Sequence, residues 1–64
     1  MLARESHQRL EAAIRRLPAD QRKCLALRSE GFRYREIAEI LGIGVTTVAD
    51  AVRRAVATLA KELP

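Results

Sequence analysis

The sequence predicts an all-α fold, a compact four-helix domain that ends in a helix-turn-helix. Apolar residues recur at helical spacing in four successive segments. Pro18, Gly31 and Gly42 stand where those segments would begin or end. The 64 residues are close to the lower limit for a fold that rests on an apolar core alone. We therefore expect one domain over residues 1–64, with the helix-turn-helix at about residues 33–62.

The first two helices are predicted on either side of Pro18. The first runs from about residue 6 to Leu17, and its apolar residues share one face: Leu10, Ala13, Ile14 and Leu17. Pro18 disfavours helix at Leu17 and suits the first turn of a second helix, which is expected to end at Gly31. Cys24 lies in an apolar run of that second helix, so we expect a buried core thiol.

The third helix is predicted from Arg33 or Tyr34 to Gly42. Its expected inward residues are Ile37, Ala38, Ile40 and Leu41. Arg33 stands where Ser or Thr would cap the helix, although Glu36 is in place for the other half of a capping box.

The residues around Gly42 have the spacing of a helix-turn-helix. Ala38 is small where the second helix of the motif would cross the first, and Val48 would bury the inner face of that second helix. Gly42 can take the left-handed conformation that ends a helix. We expect that a larger side chain at Ala38, or a Cβ at Gly42, would open the crossing.

The fourth helix is predicted over residues 45–63. One apolar stripe is expected to face the core: Val45, Val48, Val52, Val56, Leu59 and Leu63. At about 100° per residue, the opposite face carries a polar set that a DNA groove would meet. That set comprises Thr46, Thr47, Asp50, Arg54, Ala57, Thr58 and Lys61, with Arg53 on its flank.

The amino-acid composition favours a binding function over an enzymatic one. The chain carries 12 Lys and Arg against 8 Asp and Glu, a formal net charge of +4 that favours polyanions or an acidic protein surface. The excess is uneven, because residues 32–64 hold five basic and four acidic groups. No catalytic constellation and no metal-ligand set is present in the sequence, so no enzyme activity, cofactor, metal or small-molecule substrate is expected. The absence of a spanning apolar run or signal peptide predicts a cytoplasmic protein without membrane association.

Nearly the whole chain resembles region 4 of bacterial sigma factors, with the extracytoplasmic-function group as the closest likeness. The matching residues are Leu17-Pro18, Gln21-Arg22, residues 25–28, residues 30–32, the run from Tyr34 to Ile43, Thr47-Val48 and Arg54-Ala55. The resemblance implies that the fourth helix docks in the major groove of the promoter's minus 35 element. It also implies contact with the beta flap of RNA polymerase and, in many members, with an anti-sigma factor.

Carried over by position, the resemblance assigns roles to individual side chains. It implies base-facing roles for Thr46, Thr47, Asp50 and Arg53 or Arg54. It implies phosphate contacts for Arg33, Tyr34 and Arg35, and for Arg28 through the DNA backbone.

This chain departs from the family within the fourth helix. Where the family usually shows a lysine, a serine and an arginine, this chain has Ala49, Asp50 and Ala51, and Gly44 replaces the usual capping serine. Asp50 has two open interpretations, an intrahelical ion pair with Arg54 or a hydrogen bond accepted from a cytosine amino group.

Three functions remain open at this point. The first is the promoter-recognition domain of an alternative sigma factor, acting on double-stranded DNA in transcription initiation. The second is a sigma-like protein-interaction module that binds the polymerase flap or an anti-sigma factor and binds DNA weakly. The sequence Ala49-Asp50-Ala51 and the nearly neutral C-terminal half favour this function. The third is a response-regulator type helix-turn-helix activator domain, in which the fourth helix would form a dimer contact.

Overall fold

The computed structural model describes residues 2–62, which fold into four α-helices. They are α1 (Leu2–Arg16), α2 (Ala19–Ser29), α3 (Tyr34–Leu41) and α4 (Val45–Ala60). The all-α, four-helix prediction is therefore confirmed. The helix boundaries agree closely except at the two ends, where α1 begins four residues earlier than the apolar pattern indicated and α4 ends at Ala60.

The core lies where α2 and α3 pack on α4. Its buried residues come from all three helices: Cys24, Ile37, Ala38, Val48, Ala51 and Val52. Leu27, Phe32, Leu41 and Ile43 pack against this cluster from its edge. Burial of nonpolar surface is the main favourable contribution to folding in a domain of this size. Because α2 and α3 bury that surface against α4, this cluster fixes the angle at which α4 is held.

Cys24 is a fully buried free thiol in this cluster, as the sequence predicts. Burial, with a smaller contribution from the charge of Asp20, raises the pKa of the Cys24 thiol. The thiol is therefore protonated and acts as a small apolar side chain.

Arg22 of α2 connects its own helix to the end of α1. The guanidinium of Arg22 donates hydrogen bonds to the carbonyl oxygens of Arg15 and Leu17, both at 3.3 Å. Because the last carbonyls of a helix have no partner within that helix, Arg22 satisfies two groups at the end of α1. Arg16 links the end of α1 to the end of α4 through a 3.1 Å ion pair with Glu62.

Two parts of the predicted core are wrong. Val45 and Val56 of α4 are 47% and 52% exposed, and Ile40 of α3 is 54% exposed. The buried residues of α4 are instead Val48, Ala51, Val52 and Ala55. Leu59 is partly buried, and Leu63 lies outside the described residues.

The reason for the shift is the identity of the residues that meet at the helix crossings. Alanine at positions 51 and 55 lets a neighbouring helix approach α4 closely, so the buried arc is centred between Val48 and Ala55. The larger valines at positions 45 and 56 lie at the margin of that arc, where solvent reaches them.

Candidate nucleic-acid interface

The turn between α3 and α4 has the geometry of a helix-turn-helix. Gly42 ends α3 in the left-handed conformation (φ 69°, ψ 35°), and the backbone N–H of Ile43 donates to the Ala38 carbonyl at 3.0 Å. Ala38 and Val48 are both buried at the crossing. The predicted roles of Gly42 as the helix end and of Ala38 and Val48 as contact residues are thus confirmed.

The expectation that a Cβ at Gly42 would open the crossing is wrong. An ideal Cβ built there meets nothing within 4 Å. Glycine is favoured at this position because the backbone has a positive φ, which side-chain-bearing residues adopt at a cost.

The start of α3 carries half of a capping box. The backbone N–H of Arg33 donates to Oε1 of Glu36 at 2.8 Å, as the position of Glu36 predicts. The Arg33 side chain has only donors and cannot accept the reciprocal bond from the helix backbone. Its charge therefore lies at an exposed helix start without a capping function.

Arg28 and Tyr34 are joined across the segment between α2 and α3. The guanidinium of Arg28 donates to the Phe32 carbonyl at 3.0 Å and lies 5.5 Å from the centre of the Tyr34 ring. A cation over an aromatic ring is attracted electrostatically, so this contact orients both side chains. Two of the residues predicted to contact phosphates are thus held together. Helical periodicity and motif spacing do not indicate this pairing.

The predicted phosphate residues also lie beside the start of α4. A shallow depression is lined by Arg33, Tyr34, Arg35, Glu36 and Val45. It brings three of the four predicted phosphate-contacting residues to the edge at which α4 begins, and Arg28 adjoins Arg33 and Tyr34 in a neighbouring depression. We call Arg28, Arg33, Tyr34 and Arg35 the α3 edge.

The predicted base-facing residues lie on α4, on the side away from the core. Thr46, Thr47, Arg53 and Arg54 are exposed, and the side chain of Asp50 is about half exposed. We call these five residues the α4 face. Gly44 has no side chain to cap α4, and the hydrogen bonds described for residues 2–62 include none to the hydroxyl of Thr46 or Thr47.

Asp50 pairs with both arginines of the α4 face. Its Oδ1 accepts from Nη2 of Arg53 at 2.7 Å, and its Oδ2 lies 3.3 Å from Nη2 of Arg54. The hydrogen bond from Arg53, followed by the charge of Arg54, lowers the pKa of the Asp50 carboxyl. The expected pair with Arg54 is therefore present. The shorter pair with Arg53 was missed, although the three-residue separation indicates it.

Ala51 does not belong to the exposed part of the motif. Its side chain is buried, and it borders a small groove between α2 and α4 that is lined by Pro18, Asp20, Gln21, Thr47, Asp50, Ala51 and Arg54. One of the departures from the family pattern therefore affects the packing between α2 and α4, whereas Asp50 changes the charge of the exposed face.

Three further features of the described residues concern metal binding, membrane spanning and the histidine at position 7. Across residues 2–62, no group of three or more side chains could hold a metal ion. No helix in that part is long and apolar enough to cross a membrane. His7 is exposed, and its Nε2 lies 2.6 Å from Oε1 of Glu11 one turn further on in α1.

The sequence matches a known protein family over most of its length. The family model described as sigma-70, region 4, matches residues 7–59. The chain belongs to the sigma-70 region 4 family. No curated protein and no solved structure matched the chain. Region 4 is a DNA-binding and regulatory part of sigma factors and is not catalytic, and the family implies interaction with DNA and RNA polymerase.

Proposed function

We propose that this chain is the promoter-recognition domain of an alternative sigma factor of the extracytoplasmic-function group. In this proposal α4 enters the major groove of the minus 35 element, and the domain acts in the bacterial cytoplasm during transcription initiation. One observation carries the proposal. The buried side of α4 fixes the helix on the core, which leaves Thr46, Thr47, Asp50, Arg53 and Arg54 on the side that is free to meet DNA.

The α3 edge supports the same docking. Its exposed arginines lie beside the start of α4, where a helix in the major groove has the DNA backbone next to it. The cation at Arg28 is already held over Tyr34 and needs little further ordering to meet a phosphate. We assign phosphate contacts to this edge and base contacts to the α4 face.

Protein partners complete the proposal. A domain with a small charge excess is expected to bind an isolated duplex weakly. A polymerase that holds the domain beside the promoter raises its effective concentration there. We propose the beta flap of RNA polymerase as the holding partner, with an anti-sigma factor as a regulator. The family match favours region 4 over a response-regulator activator domain.

A protein-interaction module that binds DNA weakly remains the second candidate. The observation in its favour is that Asp50 occupies both arginines of the α4 face, so that their charge is partly neutralised. The exposed apolar side chains of Ile40 and Val56 would suit contact with a protein.

The deciding experiment measures binding of the domain to random duplexes and to duplexes selected from a random pool, by fluorescence anisotropy over a range of salt concentrations. The variant is Arg53→Ala/Arg54→Ala. We expect its affinity for selected duplexes to fall by about tenfold or more, and the salt slope to fall by about one to two units.

The matched control is Arg9→Ala/Arg15→Ala, which removes the same charge from exposed positions on α1. We expect this control to change the affinity by less than about threefold, because its arginines lie outside the proposed interface. Equal weakening by the two double variants would contradict docking through α4. Absence of wild-type binding even at about 20 mM salt would favour the protein-interaction module.

A further inference from the structure

The ion pairs of Asp50 place an acid within the surface that is proposed to meet DNA. The two oxygens of one carboxylate each hold a different guanidinium, one turn of helix further on. Side chains on a helix lean toward its N-terminus, so Arg53 and Arg54 are drawn toward the end of α4 that would enter the groove. Both arginines are exposed and are otherwise free to turn toward phosphates on either side.

We infer that Asp50 is a specificity-determining residue that restrains Arg53 and Arg54 and so suppresses indiscriminate binding to DNA phosphates. This inference rests on the proposed docking of α4 in the major groove. A random duplex offers mainly phosphates, and reaching them requires an arginine to leave Asp50, which then meets the negatively charged backbone unpaired. A duplex that places a hydrogen-bond donor opposite Asp50 avoids this penalty, and the amino group of cytosine is such a donor.

The physical basis is discrimination by an unfavourable contact. An acid in the interface weakens binding to every duplex, but it weakens binding most where the carboxylate finds no donor. The other residues of the α4 face cannot discriminate between duplexes in this way. Thr46 and Thr47 are neutral, and the two arginines attract every phosphate. The restraint therefore depends on Asp50 itself.

The test compares Asp50→Asn with Asp20→Asn. Asparagine has nearly the shape of aspartate and removes the charge that holds both arginines. Asp20 borders the same groove between α2 and α4, so its replacement makes an identical change in net charge nearby. The described ion pairs of residues 2–62 do not include Asp20. The control therefore isolates the restraint from the general change of charge.

We expect Asp50→Asn to bind random duplexes about three- to tenfold more tightly than wild type, with a salt slope steeper by about one to two units. Binding to selected duplexes should tighten less, so that the ratio of the two affinities falls. Asp20→Asn should change both affinities by less than about twofold and leave their ratio unchanged. A lower ratio in Asp50→Asn alone would support the inference.

Two results would overturn the inference while leaving the proposed function intact. One is selective binding that Arg53→Ala/Arg54→Ala abolishes but that Asp50→Asn leaves no different from Asp20→Asn. The other comes from NMR of the free domain, in which the restraint should slow the motion of the Arg53 and Arg54 side chains relative to Asp50→Asn. Equal mobility in the two proteins would show that no restraint exists, whatever the DNA measurements give.

Failure of the proposed function would be recognised separately. If neither wild type nor Asp50→Asn binds any duplex at about 20 mM salt, docking of α4 is contradicted, and the specificity role of Asp50 is contradicted with it. The NMR comparison would then report only whether the ion pairs order the arginines in solution.

Discussion

The buried face of α4 and the exposed α4 face differ in what holds their side chains. On the buried face, Val48 and Ala55 are fully buried by packing against the rest of the domain. On the exposed face, Asp50, Arg53 and Arg54 are held by ion pairs with one another. Packing is sensitive to the loss of a methyl group, whereas exposed ion pairs add little to stability.

This difference separates two properties of one helix. The buried face sets where α4 lies and at what angle, and the exposed face sets the charge that it presents there. Substitutions on the exposed face can therefore change binding without changing the fold.

The largest expected effect of a single substitution is on the buried face. Val48→Ala removes two methyl groups from a fully enclosed site and should lower the free energy of unfolding by about 2 kcal/mol. Val56→Ala makes the same chemical change on the same helix at a site that is 52% exposed, and should change it by less than about 0.5 kcal/mol. Urea denaturation followed by circular dichroism measures both values. Similar losses in the two variants would show that Val56 is buried in solution and that the described face is wrong.

The same contrast shows how far the sequence could predict the fold. Helical periodicity and the positions of Pro18, Gly31 and Gly42 were sufficient for the four helices and the turns between them. On α4 the apolar pattern correctly predicts burial of Val48 and Val52, but it wrongly includes the exposed Val45 and Val56. Ala51 and Ala55 are also buried, because helices can pack closely against α4 at these small residues. Where helices pack this closely depends on their crossing angles, which the periodicity of the sequence does not predict.

The sequence predicts only part of the candidate interface, because contacts between separate segments depend on how the chain folds. Spacing alone indicated that Asp50 could pair along the helix, and the structure adds that one carboxylate takes two arginines. The contact of Arg28 with Tyr34 joins residues on either side of the segment between α2 and α3. Its formation depends on the path of that segment, which local sequence patterns do not determine.

A smaller effect is expected where the chain enters α4. Gly42→Ala should lower the free energy of unfolding by about 1 kcal/mol, because alanine must adopt a positive φ there although its Cβ has room. Gly44→Ser should have the opposite sign and raise it by a few tenths of a kcal/mol, roughly, because a serine side chain can cap α4. Thermal denaturation of the two variants beside wild type provides the measurement. If Gly42→Ala is as stable as wild type, the left-handed turn is not required in solution.

The smallest expected effect is on the ionisation of the exposed face. The hydrogen bond from Arg53 and then the charge of Arg54 lower the pKa of Asp50, so its ion pairs are present above the ordinary aspartate pKa of about 3.9. They are lost only as the pH falls through the lowered pKa of the folded protein. The restraint on the two arginines therefore operates throughout the neutral range.

Titration of the Asp50 carboxyl carbon by NMR tests this order of causes. Arg53→Ala should raise the pKa of Asp50 toward its ordinary value by more than Arg54→Ala does, because Arg53 contributes both the 2.7 Å hydrogen bond and a charge. Arg9→Ala removes a cation from α1 and serves as the control, with no expected change. An equal rise in the two α4 variants would mean that the arginines act only through their charge. The short bond to Arg53 would then contribute nothing specific, and the exposed face would be held by diffuse attraction between charges.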